Sequence, residues 1–193
     1  FAGAAAVVAQ DFDFTGQTGV SLEPRGILAE WDARAGRLTV HQAHQAPWQM
    51  REVYAAALAL DPEDVRVIVP DVGGGFGVKL HAYADEMAVV AIARLLGRPV
   101  QYLADRMEAF LADAQARAIG GHARMAVDAG GRILGFDVDL LAGHGAYSMH
   151  PRGSVGESLQ AVQMVGAPYA YGAFRGRVRG AAQNKAPTGA YRG

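Results

Sequence analysis

The sequence predicts an α+β fold in which mixed and antiparallel sheets pack against helices. Two pairs of short apolar runs, each pair joined by a turn, predict β-hairpins. Segments whose apolar residues recur at three- and four-residue steps predict amphipathic helices. Between the hairpins, an apolar run leads into a glycine-rich loop and then into a helix, so sheet and helix are expected along the whole chain.

The first predicted hairpin and helix lie in the first third of the chain. The runs 27–31 and 37–41 are rich in Ile, Leu, Val and Thr, and they flank the turn sequence DARAG. A helix is predicted over 47–60, because Pro47 suits a first helical turn and apolar residues follow at helical spacing. Residues 1–10 are small and apolar, fit either a strand end or a helical turn, and receive no assignment.

A glycine-rich loop follows the next predicted strand. The apolar run 65–69 predicts a mostly buried strand, and residues 71–79 continue as DVGGGFGVK. Glycine lacks a Cβ, so the loop can adopt positive φ and bring N–H groups to an anionic oxygen. A tight or flexible turn is the alternative. Val78 interrupts the Gly-Lys pair of a P-loop, and the glycine spacing does not fit G-x-G-x-x-G.

The rest of the chain is predicted to consist of short elements joined by turns. These elements are a helix over 85–96, a strand over 99–103, a helix over 106–116, a hairpin over 122–127 and 133–141, a helix over 158–165 and a strand over 174–181. The last strand carries Arg175, Arg177 and Arg179 on one face. These arginines could grip an anion, but a solvated strand face is favoured. The long loop 144–156 carries two histidines and an arginine, which do not define a site by themselves.

The composition indicates a folded protein without an affinity for polyanions. Of the 193 residues, 51% are hydrophobic, and 18 basic against 19 acidic residues give a net charge of -1. This balance gives no footprint for nucleic acid or an anionic membrane. The sequence contains no cysteine, which excludes thiolate catalysis and iron–sulfur ligation within it. Neither a signal peptide nor a membrane span is seen, so we expect a soluble cytoplasmic protein, with the periplasm as the alternative.

Three motifs follow one another in a fixed order: Gln45 within HQAHQAPWQMR, the loop DVGGGFGVK, and the final run APTGAYRG. Together they resemble the large subunit of molybdenum hydroxylases, the family of xanthine dehydrogenase, aldehyde oxidase and carbon monoxide dehydrogenase. The runs SLEP, LGRPV and Arg106-Met107-Glu108 add to this resemblance, which covers nearly the whole chain. It implies the molybdopterin-binding fold of that family, with residues 1–193 as its first molybdopterin-binding domain. Because the chain begins with Phe1 and stops at GAYRG, we expect a fragment or processed piece of a longer subunit.

The resemblance also implies which residues bind the cofactor. Family members place a glutamine near the apical ligand of molybdenum and a phenylalanine beside the metal centre, which corresponds to Gln45 and Phe76. The implied cofactor-binding residues are Gln45, Gly74, Gly75, Phe76, Gly77, Ala190, Tyr191 and Arg192. Backbone N–H groups of the glycine loop and of the 190–192 run would hold the cofactor, since oxo and phosphate oxygens suit converging donors. No residue of this chain is assigned as a metal ligand or a catalytic group.

Further cofactors and partners are implied outside the chain. Molybdenum would be carried by molybdopterin, as its cytosine dinucleotide in a bacterial protein, and iron–sulfur clusters and FAD would lie on partner chains or domains. The remaining large-subunit polypeptide would supply a glutamate base. The implied reaction is hydroxylation of a small-molecule substrate, at an aldehyde or N-heteroaromatic carbon, with water as the oxygen source. A non-catalytic fragment and an unrelated phosphate-binding module are the alternatives.

Some residues depart from the family pattern or have more ordinary roles. Leu80 replaces the glutamate of purine-oxidising members, which disfavours purines, and the lack of cysteine disfavours copper-linked carbon monoxide chemistry. Lys79 is expected to cap carbonyls or pair with a carboxylate. Glu86, Glu108 and Glu157 could each be a general base, but the first two are expected to stabilise helix starts or form surface pairs.

Overall fold

The computed structural model describes residues 1–192, which divide into two compact units. The first unit comprises residues 1–17, 115–148 and 154–188. The second comprises residues 18–114 and 149–153 together with the segment that begins at Gly189. Each unit is built on its own four-stranded sheet.

The structure contains eight strands and four α-helices within the described residues. The strands are β1 (Ala6–Gln17), β2 (Gly26–Asp32), β3 (Arg37–Gln42), β4 (Val65–Ile68), β5 (Val100–Leu103), β6 (Ala116–Val127), β7 (Ile133–His144) and β8 (Tyr171–Ala182). The helices are α1 (Pro47–Leu58), α2 (Ala84–Leu96), α3 (Arg106–Ala112) and α4 (Val155–Met164). The α+β prediction is therefore confirmed. Within the described part of the chain, no helix has both the length and the apolar character needed to span a bilayer.

The first unit is a sheet in the order β1-β6-β7-β8, with α4 against one face. The predicted hairpin of β6 and β7 is confirmed, whereas β8 runs parallel to β7. The core under α4 contains Ile119, Val138 and Leu140. On the opposite face, the three arginines of β8 are exposed, as favoured from the sequence, and they also pair with two carboxylates of β7. These pairs join Arg175 to Asp137, and Arg177 and Arg179 to Asp139.

Strand β1 is the main element that the sequence did not predict. It pairs antiparallel with β6 along nearly its whole length, from Ala6 opposite Val127 to Gln17 opposite Ala116. Residues 11–15, DFDFT, alternate polar and apolar side chains, but residues 6–9 do not continue the pattern and most of the strand's side chains are exposed. Pairing with a distant partner fixes its conformation.

The second unit is a sheet in the order β4-β3-β2-β5, covered by α1 and α2. The predicted hairpin of β2 and β3 is confirmed, and α1 provides the crossover that allows β4 to lie parallel to β3. Helix α1 buries Met50, Tyr54 and Ala55 against the sheet, while Ala57 of its predicted apolar face is exposed. Burial of this core positions the loop that follows β4.

The predicted helix over 106–116 is too long. Helix α3 ends at Ala112, and residue 116 already belongs to β6. Its start follows the prediction for Glu108, because Asp105 and Glu108 form a capping box with each other's backbone amides. Phe110 and Leu111 are exposed in the described structure, so the apolar spacing does not mark a buried face here.

A buried charge cluster corrects the expectation for Glu86. Arg25 is buried and contacts three carboxylates, at 2.7 Å from Asp85, 3.1 Å from Glu86 and 2.6 Å from Asp113. Glu86 lies in the first turn of α2 as predicted, but it is buried instead of forming a surface pair. Burial raises the pKa of Glu86 to about 7, against the opposing effect of Arg25. The pKa of Arg25 is raised despite its burial because these carboxylates surround it.

Candidate functional site

The glycine loop adopts a left-handed conformation at three positions. The φ angles are 99° at Gly74, 52° at Phe76 and 100° at Gly77. Such angles cost a glycine little, but a residue with a Cβ such as Phe76 is strained by about 1–2 kcal/mol. Within residues 1–192, the amides of Gly74, Gly75 and Phe76 have no hydrogen-bond acceptor. Three consecutive N–H donors are therefore available to a group outside the described chain.

Glu23 binds the glycine loop at Gly73 and at Lys79. Its Oε2 accepts from the Gly73 amide at 2.8 Å and from Lys79 Nζ at 2.6 Å, and its own amide donates to the Gly73 carbonyl. The Lys79 side chain is only 1% exposed, so this carboxylate neutralises a buried charge. The hydrogen bond from Lys79 is the main cause of the lowered pKa of Glu23. Lys79 thus pairs with a carboxylate, one of the two roles expected from the sequence.

Gln45 contacts the loop from the segment that precedes α1. Its Oε1 accepts from the Gly77 amide at 2.9 Å, and its backbone amide donates to the Lys79 carbonyl at 2.8 Å. No acceptor within the described residues is bonded to its Nε2, which remains a donor for another group. A Cβ on Gly75 would lie 2.5 Å from Oε1 of Gln45, so a larger residue there would displace the Gln45 side chain.

The segment 190–192 closes on the glycine loop from the other side. The Arg192 amide donates to the Phe76 carbonyl at 3.1 Å, and the Arg192 guanidinium lies 4.6 Å from the centre of the Phe76 ring. A Cβ on Gly77 would meet the Ala190 carbonyl oxygen at 2.3 Å and the Tyr191 nitrogen at 3.0 Å. The structure therefore brings together Gln45, the glycine loop and the segment 190–192, which contain the eight cofactor-binding residues predicted from the sequence.

Two buried histidines connect these three segments. His81 Nε2 accepts from the Ala190 amide at 2.9 Å, and His44 Nδ1 accepts from the Ala46 amide at 2.9 Å. Each ring nitrogen that accepts must be unprotonated, so both imidazoles are neutral and His44 donates through Nε2 to the His81 carbonyl at 3.3 Å. Burial lowers the pKa of each histidine to about 4, assisted at His81 by His44 and Arg152.

The available donors differ in part from those that the resemblance implies. The amides of Ala190 and Arg192 already donate within the protein, to His81 and Phe76. The donors without an acceptor among residues 1–192 are instead those of Gly74, Gly75 and Phe76. A run of amides without an acceptor among these residues, next to a neutral carboxamide, suits anionic oxygens, so these residues fit a molybdopterin-type cofactor.

Sequence reasoning missed the supporting residues Glu23, His44 and His81. Glu23 lies in the run SLEP and His44 directly precedes Gln45, so proximity to a motif was the signal available for both. No local pattern points to His81. Glu157, a possible general base from the sequence, lies in the first unit. Its carboxylate accepts a hydrogen bond from the Arg117 amide at 2.8 Å and forms an ion pair with the Arg117 side chain. Among the described residues, no group of three His, Cys, Asp or Glu side chains could hold a metal ion directly.

Comparison with known proteins identifies the family of this chain. The family model described as molybdopterin cofactor-binding domain matches residues 1–193. The carbon monoxide dehydrogenase large chain of Hydrogenophaga pseudoflava is 34% identical over 147 residues, which cover 76% of this chain and 18% of that protein. The nicotine 6-hydroxylase large subunit of Paenarthrobacter nicotinovorans is 34% identical over 174 residues, covering 89% of this chain and 21% of its own length.

Solved structures give the same result. Quinoline 2-oxidoreductase from Pseudomonas putida 86 superposes with a TM-score of 0.94 at 34% identity, covering 100% of this chain and 25% of that one. The chain thus spans about a quarter or less of the length of these relatives. The relatives are molybdenum hydroxylase oxidoreductases, and the matched region is their molybdopterin-binding part. This chain therefore belongs to the molybdopterin cofactor-binding domain family of molybdenum hydroxylase large subunits.

Proposed function

We propose that this chain forms one wall of the cofactor site in an enzyme that hydroxylates an aldehyde or N-heteroaromatic carbon with water as the oxygen source. The observation that carries the proposal is the row of three amides at Gly74, Gly75 and Phe76 that have no acceptor within residues 1–192, beside Gln45 and the segment 190–192. When bound, the molybdenum cofactor supplies the redox chemistry and the oxygen transfer. The residues of this chain hold and orient it.

Each part of the wall has its own task in this proposal. The free amides bind anionic oxygens of the cofactor, as glycine-rich nests do. Gln45 donates through Nε2 without adding charge, because its Oε1 is occupied by the Gly77 amide. The Phe76 ring is 40% exposed and is backed by the Arg192 guanidinium, so it presents an apolar surface beside which a planar substrate can lie.

The rest of the enzyme lies outside this chain. We assign the cofactor as the cytosine dinucleotide form, and we assign iron–sulfur and flavin centres on partner chains or domains as the exit for electrons. The glutamate base belongs to the remaining large-subunit polypeptide. The names of the relatives support this organisation, because they are large chains or subunits of complexes and this chain matches only a part of each.

The substrate class follows from two features of the sequence. Leu80 occupies the place of the glutamate that purine-oxidising members carry, so a purine would lack that polar partner. The chain has no cysteine, which argues against the copper-linked oxidation of carbon monoxide. An aldehyde or an N-heteroaromatic ring fits an apolar site better, and one relative is named for its action on quinoline.

The test is metal analysis and dye reduction on the full-length large subunit purified in its complex. We expect stoichiometric molybdenum with bound pterin, and dye reduction with aldehydes or with N-heteroaromatics other than purines, but not with xanthine. Molybdenum without dye reduction by any of these substrates would favour a non-catalytic, cofactor-binding role. A complex that lacks molybdenum and retains an ordinary nucleotide would favour a phosphate-binding module and refute the proposal.

A further inference from the structure

The segment 190–192 needs an anchor to stay against the glycine loop. Its contacts with that loop include the hydrogen bond from the Arg192 amide to the Phe76 carbonyl and the guanidinium over the Phe76 ring, where Arg192 and Phe76 are both exposed. The contact made at the other end of the segment is different in kind. The Ala190 amide donates to a ring nitrogen of His81, which is fully buried.

His81 is itself fixed by its surroundings. Its carbonyl accepts from the His44 ring, and a Cβ on Gly189 would lie 2.5 Å from its Nε2, so the ring is packed against the backbone that enters the segment. His44 in turn accepts from the Ala46 amide and so holds the turn that carries Gln45. The two imidazoles therefore join the Gln45 turn, the end of the glycine loop and the segment 190–192.

The protonation state of His81 follows from its hydrogen bond. Nε2 accepts an N–H, so in the neutral ring the proton resides on Nδ1, which is buried and has no partner among the described residues. The tautomer with the proton on Nε2 would turn two donors towards each other and break the contact with Ala190. An acceptor at this position is thus what the segment requires.

We propose that His81, fixed by His44, is a positioning residue that holds the segment 190–192 in register with the glycine loop and thereby sets the shape of the cofactor wall. This inference rests on the proposed function for its consequence on cofactor binding. The anchoring of Ala190 itself does not depend on the identity of the cofactor.

Three variants of the full-length subunit in its complex test the proposal. His81→Leu removes the acceptor at similar volume, and His81→Gln restores an acceptor because its Oε1 reaches the place of Nε2. His41→Leu is the matched control, since His41 is a histidine of the same unit on β3. The readouts are hydrogen–deuterium exchange at the Ala190 amide and molybdenum per subunit.

In His81→Leu, we expect hydrogen exchange at the Ala190 amide to be at least about tenfold faster than in the unmodified protein, because a buried hydrogen bond is lost. We also expect this variant to contain about fivefold less molybdenum per subunit. His81→Gln and His41→Leu should stay within about threefold of the unmodified protein in exchange.

Equal exchange in His81→Leu and His41→Leu, or failure of His81→Gln to restore protection, would overturn the proposal. If the variants do not fold, an unprotected Ala190 amide in the unmodified complex overturns it, and a protected one supports it. Absence of molybdenum from the unmodified complex refutes the proposed function alone, because the exchange result still decides the role of His81.

Discussion

Replacement of Gly77 by alanine should separate the glycine loop from the segment 190–192. At φ of 100°, an alanine is in a conformation that L-residues avoid, at a cost of about 1–2 kcal/mol. Its Cβ would also meet the Ala190 carbonyl oxygen at 2.3 Å, well inside the 3.0 Å below which real Cβ contacts essentially do not occur. Because that neighbour is backbone, the clash can be relieved only by moving the segment.

The size of the effect follows from these two contributions. Overpacking of this kind costs about 1–3 kcal/mol, which adds to the backbone strain for a total of about 2–5 kcal/mol. Gly36→Ala provides the control, because Gly36 also has positive φ, 67°, but a Cβ there would have no heavy atom within 4 Å. The two variants therefore share the strain and differ in the clash.

The assay is the molybdenum and pterin content of each full-length variant after gel filtration, with the thermal unfolding midpoint measured in parallel. A difference of about 1–3 kcal/mol corresponds to about a five- to 150-fold shift in the closed arrangement. We expect Gly77→Ala to lose most of its cofactor and Gly36→Ala to keep it. Equal retention by the two variants would show that close contact between Gly77 and Ala190 is not needed for the site.

Three further predictions concern the neighbours of this contact. Phe76→Ala should deplete the cofactor while hardly changing the free energy of unfolding. Val78→Ala, at a buried position, should lower the free energy of unfolding by about 1–3 kcal/mol and leave the cofactor content unchanged. The reverse pattern would mean that Phe76 acts as a core residue. Glu23→Gln should cost about 3 kcal/mol in urea unfolding, since it leaves the buried Lys79 charge unpaired, and a neutral result would mean that Lys79 finds another partner. The pKa of His81 is about 4 in the folded protein and 6.5 in the unfolded chain, so the free energy of unfolding should fall as the pH drops from 6.5 to about 4. His81→Gln should make this fall less steep. Parallel pH profiles of the two proteins would contradict the lowered pKa.

The pH comparison must be made between variants because other groups titrate in the same range. Glu86 has its pKa raised to about 7, so the folded state binds a proton there that the unfolded state releases near pH 4.5. Its contribution to stability grows as pH falls, opposite in sign to that of His81. The difference between the unmodified protein and His81→Gln removes this common contribution.

The parts of the fold that could be predicted are those with local signals. The turns DARAG (32–36) and DAGG (128–131) marked both hairpins, helical spacing marked α1, and an apolar composition between Glu86 and Gly97 marked α2, because these signals act over a few residues. The three glycines and Phe76 likewise indicated a backbone-lined site. By contrast, β1 shows only a short alternation at residues 11–15, and its conformation comes from pairing with β6 more than 100 residues later, as in Asp11 with His122.

The supporting residues of the site could not be predicted for the same reason. His81 and Ala190 are separated by 109 residues and meet only in the folded chain. Arg25 and Asp113 are separated by 88 residues, so neither the burial of this arginine nor that of Glu86 is visible in local sequence. The sequence correctly placed Glu86 near the start of α2, but the burial of Glu86 depends on Arg25, which lies 61 residues earlier in the chain.

The discontinuity of the second unit bears on how the protein is made. Most of that unit lies within residues 18–114, yet its last piece begins at Gly189, after a stretch that belongs mostly to the first unit. At about 5–20 residues per second, the ribosome needs about 5–20 s to go from His81 to Ala190, whose amide donates to it. During that interval the glycine loop, Glu23 and Gln45 can already be in place while the closing segment does not yet exist. The contact between the glycine loop and the segment 190–192 therefore cannot form until nearly all of the first unit has been synthesised.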